Sequence, residues 1–425
     1  MIKILQNSSF IKNSVILVAG AGLSQAIPML FSPVLARIFS PEQFGVFSVF
    51  LAASTVLAIL ATGLYELAIV KAKRLRDAFH LVVLVQWIAV FVCSLLLAFI
   101  IIYEQFFHPT IDLSINGVGL YLLPVSVFTI ALFNGLNYWL NRNRAYTKIS
   151  LVKLLQSLGV TLLSIAIGLL GFKENGLILG LVFGNFMTIL PLLIYLFNKR
   201  SEINKQELRK AAMENSSFPK VVLPSTLMNT VASYCPVFFI TYYFSAEIVG
   251  NFTMTTRILT APVAIISVAV GQIYYKRVAD MVNFYKEPLS VDLLRTSKLL
   301  ALISLVLFIP LYFFGNDLLV LVLGQQWQAA GTYLQILVFG VMLRFIVSPL
   351  STALLATQYV KFLSLWQGLY FLSILVVFYF TRHLEILSVL KIYVLNEVLM
   401  YSFYYLLICT AVWAFDKKKI NDTIV

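Results

Sequence analysis

The chain alternates between apolar runs of about twenty residues and short polar segments. An α-helix of that length crosses a bilayer, because each residue advances the helix by about 1.5 Å and the hydrocarbon core is roughly 30 Å thick. The pattern therefore predicts twelve membrane-spanning helices, at residues 14–36, 44–69, 78–103, 117–139, 149–171, 176–197, 221–244, 249–273, 297–314, 332–356, 362–380 and 388–414.

The distribution of basic residues sets the orientation of these helices. Of the 31 lysines and arginines, 25 fall in the termini and loops that this count places on one side of the membrane, and two, Arg257 and Arg344, lie inside spans. The loops on the other side hold only Arg37, Lys173, Arg382 and Lys391. Because cytoplasmic loops of membrane proteins are rich in lysine and arginine, both termini are predicted to be cytoplasmic.

The composition indicates the same class of protein. Hydrophobic residues make up 60% of the chain and charged residues 12%, whereas soluble domains have about half and about a quarter. We therefore expect an all-α polytopic membrane protein. The net charge of +13 comes from the basic loops, so no nucleic-acid partner is expected. Cysteine spacing and the known phosphate-loop, Rossmann and metalloprotease motifs give no sign of a metal, a cofactor or an enzyme active site.

A short repeat divides the chain. Residues 39–45 and 244–250 both read Phe-Ser-x-Glu-x-x-Gly, 205 residues apart, and each opens the second helix of a six-helix set. Two parallel six-helix halves with a binding site where they meet are a known transporter arrangement. The repeat predicts an N-terminal six-helix bundle at residues 1–197, a basic cytoplasmic linker at 198–220 and a C-terminal six-helix bundle at 221–425.

Several predicted spans carry a polar stripe along one helical face. An arginine placed in hydrocarbon costs roughly 2.5 to 3.5 kcal/mol, so it normally faces a bundle interior or a watered cavity. We predict that these stripes line a central cavity. Its candidate substrate-binding residues are Gln25 in the first span, Thr253, Arg257 and Thr260 in the eighth, Arg344, Ser348 and Ser351 in the tenth, and Tyr393, Glu397 and Tyr401 in the twelfth.

The charges of these stripes favour an anionic ligand. Two arginines against one deeply placed glutamate leave the predicted cavity net positive, and arginine suits forked contact with phosphate oxygens. The alternative is that each arginine pairs with a carboxylate and only joins helices. Glu66, near the cytoplasmic end of its span, is interpreted as structural, through a pair with Lys71 or Arg74, and Arg37 is a second structural or gating candidate.

Six segments in chain order carry a family resemblance: Ser40–Gly45, Thr62–Val70, Leu223–Ser225, Gly271–Arg277, Trp327–Gly331 and Arg344–Ser351. Taken together they resemble Wzx-type oligosaccharide flippases of the polysaccharide biosynthesis family. Their superfamily includes MurJ-type lipid II flippases and MATE exporters. The resemblance covers essentially the whole chain and implies the MATE/MurJ-like fold of twelve helices in two parallel halves. Leu64 stands where the family usually has an arginine.

The resemblance also implies a function. The chain would move undecaprenyl-pyrophosphate-linked oligosaccharide repeat units, for O-antigen or capsule, from the cytoplasmic to the periplasmic leaflet of a bacterial inner membrane by alternating access. Its implied partners are that lipid-linked oligosaccharide, membrane lipids, H⁺ or Na⁺ as a coupling ion, and the polymerase and chain-length proteins of the pathway.

Two other functions are weighed against this one. A MATE-like cation or drug exporter needs an acidic residue deep in the first or seventh span, and residues 14–36 and 221–244 contain none. A membrane polysaccharide polymerase or ligase needs a sizeable external loop that carries catalytic residues, and the predicted external loops are short.

Overall fold

A computed structural model describes residues 20–107, 117–198, 203–284 and 288–424. Within these ranges the chain forms helices joined by short turns, and no strand occurs. The helices are α1 (residues 20–30), α2 (Ser32–Ile38), α3 (Pro41–Thr62), α4 (Glu66–Lys71), α5 (Leu75–Phe107), α6 (Val118–Arg142), α7 (Tyr146–Leu169), α8 (Gly176–Phe197), α9 (Lys205–Glu214), α10 (Leu223–Tyr243), α11 (Ala246–Phe284), α12 (Leu289–Leu323), α13 (Gln328–Leu350), α14 (Thr352–Ala356), α15 (Val360–Thr381) and α16 (Ile386–Ile424). A π-helix, Phe218–Val222, leads into α10, and a 3-10 turn, Gln325–Trp327, leads into α13.

Ten helices in the described ranges are long and apolar enough to cross a membrane, judged by length and composition. They correspond to the second to seventh and ninth to twelfth predicted spans. The first predicted span, residues 14–36, lies partly outside the described residues. The eighth corresponds to α11, a 39-residue helix that carries the polar stripe around Arg257. The all-α multi-pass class is therefore confirmed, and the count of twelve stays a prediction.

Several helices differ from the predicted bounds, and two of these differences have a clear local cause. The second span was expected to continue to residue 69, but α3 ends at Thr62, because Gly63 and Leu64 both take left-handed backbone conformations with φ of 57°. The chain resumes as α4. A loop was also expected over residues 315–331, but α12 continues to Leu323. Gly315 packs against Leu334 of α13 so closely that a Cβ would overlap it. This glycine therefore serves helix packing and does not end the helix.

The predicted basic linker contains the short helix α9. Its apolar face is buried at Leu208 and Ala211, and it packs against α5. The Tyr65 hydroxyl donates a hydrogen bond to the carbonyl oxygen of Ala212, 3.2 Å away. The helix is therefore fastened to the bundle, while its charged residues remain on the outside. Residues 199–202 of the linker lie outside the described ranges.

The chain separates into two compact units, Met1–Gly250 and Asn251–Val425, and each is described by itself. The first contains α1 to α10 and the first turn of α11, and within it α10 packs against α3. The second contains the rest of α11 and α12 to α16. The predicted division into residues 1–197, 198–220 and 221–425 depends on the sequence repeat and stays a prediction.

Each copy of the repeated motif starts a helix. The Gln43 N–H donates to the Ser40 hydroxyl (3.3 Å), and the Ser40 N–H donates to the Gln43 side chain (2.9 Å), which forms a capping box at the start of α3. At the start of α11 the Ile248 N–H donates to the Ser245 hydroxyl, 3.3 Å away. The serine of the motif is therefore a helix cap in both copies.

The glycines of the two motif copies meet where α3 and the first turn of α11 cross. A Cβ on Gly45 would overlap the carbonyl oxygen of Ala246, and a Cβ on Gly250 would overlap the carbonyl oxygen of Pro41. Pro41 and Ala246 are 205 residues apart, as are Gly45 and Gly250, so the repeat offset converts one contact into the other. The motif therefore provides a cap and a backbone-to-backbone crossing within the first unit.

Candidate functional site

Three helices of the second unit form a cluster of polar side chains at span depth. This arginine–tyrosine cluster consists of Arg344 on α13, Tyr370 on α15, and Tyr393, Glu397 and Tyr401 on α16. The three α16 residues are spaced by four, so they share one helical face. Gly340, one turn before Arg344, lets α16 approach: a Cβ there would lie 3.1 Å from the Cβ of Glu397.

Glu397 is held by tyrosines. It is 5% exposed, and the Tyr370 hydroxyl donates a hydrogen bond to its Oε1 at 2.5 Å. Tyr393, one turn away on the same helix, also hydrogen bonds to this carboxyl group. Phenol donors, and not a guanidinium, therefore satisfy the carboxyl group in the described part of the second unit.

The Arg344 side chain is accessible, although residues of the cluster lie near its guanidinium. Tyr401 and Glu397 lie within electrostatic range of its guanidinium, but its side chain is exposed. No ion pair joins it to a carboxylate within the described residues. It lies in the second half of a 23-residue helix in a candidate membrane span. An exposed guanidinium at that depth needs water or an anion beside it, because hydrocarbon would not solvate the charge.

An aromatic stack packs against the arginine–tyrosine cluster. The Trp366 ring lies between Tyr370, at 5.0 Å and 18°, and Tyr404, at 4.1 Å and 12°. Its indole N–H donates to the carbonyl oxygen of Met400, 3.0 Å away, which fixes the ring to α16. Because rings packed in this way have little freedom to rotate, the stack holds the Tyr370 hydroxyl toward Glu397.

Two of the predicted serines, Ser348 and Ser351, lie at the end of α13, near the aromatic stack. The Ser351 hydroxyl donates to the carbonyl oxygen of Ser348 (2.7 Å), and Tyr404 of α16 hydrogen bonds to Ser351. Ser348 lies one turn after Arg344 and is half-buried, and its own hydroxyl makes no hydrogen bond with another described residue. Ser351 therefore joins α13 to α16, whereas Ser348 has a hydroxyl available for a ligand.

Arg257 is the second predicted cation, and it lies on α11, the helix that corresponds to the eighth predicted span. Its side chain on α11 is half-buried and makes no hydrogen bond or ion pair with the side chains that the structure describes. On the same face, the Thr260 hydroxyl donates to the carbonyl oxygen of Thr256 (2.7 Å), and Thr253 is half-buried. On another face, the Thr255 hydroxyl donates to the carbonyl oxygen of Ala330 (2.9 Å), and this bond holds α11 to α13.

In the first unit, Gln25 and Arg37 are both exposed. Gln25 lies on α1, and its amide makes no hydrogen bond with another described residue. Arg37 lies in the last turn of α2, where a positive charge is favourable beside the free carbonyl groups of the helix end. That position provides a structural reason for Arg37.

Glu66 differs from its predicted environment. It is 4% exposed on α4 and accepts a hydrogen bond from the Thr62 hydroxyl at 3.0 Å. The predicted pair with Lys71 or Arg74 is wrong, since neither residue forms an ion pair within the described ranges. Lys71 lies instead over the ring of Phe218, 5.0 Å from its centre. The reason is that the turn at residues 63–64 carries Glu66 inward, away from the basic segment that follows α4.

Tyr370 and Trp366 were not predicted from the sequence, whereas Tyr404 lies on the polar stripe predicted for the twelfth span. One signal was available, because Trp366 and Tyr370 are four residues apart in the eleventh predicted span and so share a helical face. The predictions considered charged and hydroxyl stripes, and the eleventh span carries no charge in its middle.

A helical bundle with ten candidate spans and an accessible arginine at span depth is typical of a membrane transporter. The family model described as "Polysaccharide biosynthesis protein" matches residues 34–332. The chain belongs to this family, and the family predicted from the sequence motifs is confirmed. One relative, "Teichuronic acid biosynthesis protein TuaB" of Bacillus subtilis (strain 168), is 29% identical over 141 residues. That match spans 33% of this chain and 29% of the relative.

Solved transporter structures share the fold. "Lipid II flippase MurJ, inward closed conformation" aligns with a TM-score of 0.71 at 12% identity, over 93% of this chain and 87% of that one. "Inward-facing conformation of a multidrug resistance MATE family transporter of the MOP superfamily" aligns with a TM-score of 0.67 at 16% identity, over 92% of this chain and 96% of that one. At these identities the likeness concerns the fold, and it confirms the MATE/MurJ-like architecture.

Proposed function

We propose that this protein moves undecaprenyl-pyrophosphate-linked oligosaccharide repeat units from the cytoplasmic to the periplasmic leaflet of a bacterial inner membrane, for surface polysaccharide synthesis. In this proposal the chain has twelve spans in two parallel halves, both termini are cytoplasmic, and transport proceeds by alternating access. The protein acts as a transporter and not as an enzyme. Family membership supports the pathway, and the arginine–tyrosine cluster supports the chemistry.

The observation that carries the proposal is that Arg344 is accessible and has no carboxylate partner among the described residues. The nearby Glu397 is engaged by tyrosines. An arginine that only joined helices would be expected to form such a pair. An unpaired guanidinium can instead form a forked contact with two oxygens of a phosphate group or of an acidic sugar.

The polar headgroup needs such a route. Each unpaired polar group of a glycan or pyrophosphate costs several kcal/mol in hydrocarbon, on the order of 4 to 8 kcal/mol against an alkane. A transporter must offer polar partners to the headgroup while the prenyl chain stays in the lipid. In this proposal Arg344 and Arg257 bind the pyrophosphate or acidic sugars. Gln25, Thr253, Thr260, Ser348, Ser351, Tyr393 and Tyr401 contact the glycan, and Glu397 contacts it or carries a coupling proton.

A MATE-like exporter of cations is the alternative that the fold allows. Such a protein needs acidic residues that attract a cation, and the described residues 20–30 of α1 and all of α10 contain none. The two unpaired arginines would also repel a cationic drug. The charge of the candidate site therefore favours an anionic substrate.

The test is substitution of Arg344 by alanine and by lysine in a strain that lacks the native copy of the gene. Loss of a charge-assisted contact worth about 1.5 to 3 kcal/mol predicts a fall in transport of roughly 10- to 100-fold for Arg344→Ala. Arg344→Lys keeps the charge but not the fork, so its transport should lie between the two. Surface polysaccharide and the accumulated lipid-linked repeat unit are measured together, with the amount of protein in the membrane as a reference.

Arg382→Ala is the matched control. Arg382 is a half-buried arginine just after the end of α15, where it lies over the ring of Tyr379, 4.7 Å from its centre. Its loss removes the same charge without touching the cluster, so transport should remain at the wild-type level. Equal transport by Arg344→Ala and Arg382→Ala, at equal protein amounts, would refute the role of Arg344.

A further inference from the structure

One face of α10 is polar and exposed, although α10 belongs to a candidate membrane span. Ser225, Asn229 and Ser233 are spaced by four residues, so they lie within about 80° of one another and extend over about 12 Å of the helix. All three side chains are exposed. The segment containing α10 has the lowest hydropathy of the ten candidate spans.

This face does not have the composition of a lipid-facing surface. Many of the exposed side chains elsewhere in the spans are large and apolar, as Trp87 and Phe91 are on α5 and Leu302 and Val306 on α12. A polar group left without a partner in hydrocarbon costs several kcal/mol, so exposed amides and hydroxyls at membrane depth need water or a polar ligand. The polar face of α10 therefore borders an aqueous or ligand-filled space.

The exposed polar face occupies only one half of α10. The turns that follow are buried at Cys235, Pro236, Val237 and Ile240. The π-helix Phe218–Val222 leads directly into the half of α10 that carries the exposed polar face. Wide turns of this kind are rare and occur frequently at functional sites. This exposed half of α10 is the one that follows the basic linker and α9 in the chain.

The hydrogen-bonding capacity of the face indicates its ligand. The Ser225 hydroxyl donates to the carbonyl oxygen of Val222 and the Ser233 hydroxyl to that of Asn229, both at 2.9 Å, so each serine oxygen is left as an acceptor. The Asn229 amide makes no hydrogen bond with another described residue and offers both donors and acceptors. A phosphate group accepts but does not donate, whereas sugar hydroxyls do both and therefore match this face.

A second exposed amide lies at the corresponding place in the repeat. Gln25 precedes Asn229 by 204 residues, within one residue of the 205-residue offset that relates the two motif copies. The first helix of each predicted half therefore presents a neutral, unpartnered amide at a similar position along the helix. Equivalent positions with the same hydrogen-bonding chemistry are expected if both helices line one pathway.

We propose that Ser225, Asn229 and Ser233 form a neutral contact surface for the sugar hydroxyls of the transported lipid-linked oligosaccharide. This inference depends on the proposed function for the identity of the ligand. It adds a division of roles: the arginines bind the anionic groups of the substrate, and α10 binds the uncharged hydroxyls.

The test uses single cysteines at positions 225, 229 and 233 in a full-length protein whose three native cysteines are replaced by serine or alanine. Membrane vesicles are treated with a membrane-impermeant thiosulfonate reagent. Each of the three cysteines should react at least tenfold faster than two controls, Leu302→Cys on the apolar exposed face of α12 and Thr241→Cys at a buried position of α10. Reaction as slow as in the controls would overturn the inference whatever the substrate is.

The ligand is tested by protection from the same reagent. The lipid-linked repeat unit purified from a polymerase-deficient host should slow the modification of Asn229→Cys at least threefold, and undecaprenyl pyrophosphate without sugar should not. Equal protection by both lipids, or protection by neither, would overturn the assignment to sugar hydroxyls. Binding of both lipids to the wild-type protein, measured separately by native mass spectrometry, tests the proposed function itself.

Discussion

Replacing Gly45 with alanine should force α3 and the first turn of α11 apart. The added Cβ would overlap the carbonyl oxygen of Ala246, and backbone atoms cannot rotate away as a flexible side chain can. To restore an ordinary van der Waals contact, the two helices would have to separate by about 1.5 Å at the crossing. Gly250→Ala should produce the same separation, because its Cβ would overlap the carbonyl oxygen of Pro41.

The expected cost follows from two opposing effects. Forcing an extra methyl group into a packed contact costs typically about 1 to 3 kcal/mol. Glycine to alanine in a helix interior otherwise stabilises by about 0.5 to 1 kcal/mol, because alanine has fewer conformations to lose. Gly368 on α15 isolates that second effect, since nothing lies within 4 Å of a Cβ placed there. The alanine gain is common to both variants and cancels in the comparison, so Gly45→Ala should be less stable than Gly368→Ala by the overlap cost alone, roughly 1 to 3 kcal/mol.

The assay is thermal unfolding in detergent, followed by fluorescence-detected size-exclusion chromatography. Gly368→Ala should unfold at or above the wild-type temperature, and Gly45→Ala and Gly250→Ala below it. The double variant Gly45→Ala/Gly250→Ala should lose less than the two single losses combined, because one separation of the helices relieves both overlaps. If Gly45→Ala unfolds together with Gly368→Ala, the close crossing of the two motif copies is refuted.

Three further changes test individual interactions by the same unfolding assay. Tyr370→Phe removes the phenol that donates to Glu397 and should lower the free energy of unfolding by about 1 to 3 kcal/mol, and an unchanged value would mean that this bond contributes nothing. Asp416→Ala deprives the N–H groups of Leu289 and Ser290 of a carboxylate acceptor at 2.9 Å and should cost about 1 to 3 kcal/mol, with Asp416→Asn in between. Gln358→Gly should raise stability by up to about 1 kcal/mol, because this exposed residue has a φ of 66° that glycine adopts more readily, and a loss would contradict that.

The spans were predictable because the membrane imposes a simple length and composition on each helix. The sixth predicted span, residues 176–197, has the bounds of α8, Gly176–Phe197. The failures occur where tertiary contacts decide. Gly315 resembles a helix end in the sequence but is a packing position against Leu334. Gly63 and Leu64 form a turn inside an apolar run, and hydropathy alone gives no sign of it.

The candidate site was predictable only within single helices. Tyr393, Glu397 and Tyr401 share a face because a helix repeats every 3.6 residues, and that periodicity is visible in the sequence. The hydrogen bond from Tyr370 depends on the rotation of α15 about its axis, which a single helix does not encode. For Glu66, adjacency to basic residues suggested an ion pair, but burial of the whole turn decided its environment. Which predicted residues bind substrate stays a prediction.

The hydrogen bonds to Glu397 bear directly on substrate choice. If the carboxylate were free to pair with Arg344, an anionic ligand would have to displace it, and much of the binding free energy would be lost in breaking that pair. With the carboxyl group held by Tyr370 and Tyr393, the guanidinium remains available to a ligand. An exposed charge at this depth requires water when no ligand is bound. An incoming phosphate then replaces only that water. On the proposed function, Tyr370 and Tyr393 therefore favour an anion at Arg344 by keeping the carboxyl group of Glu397 engaged.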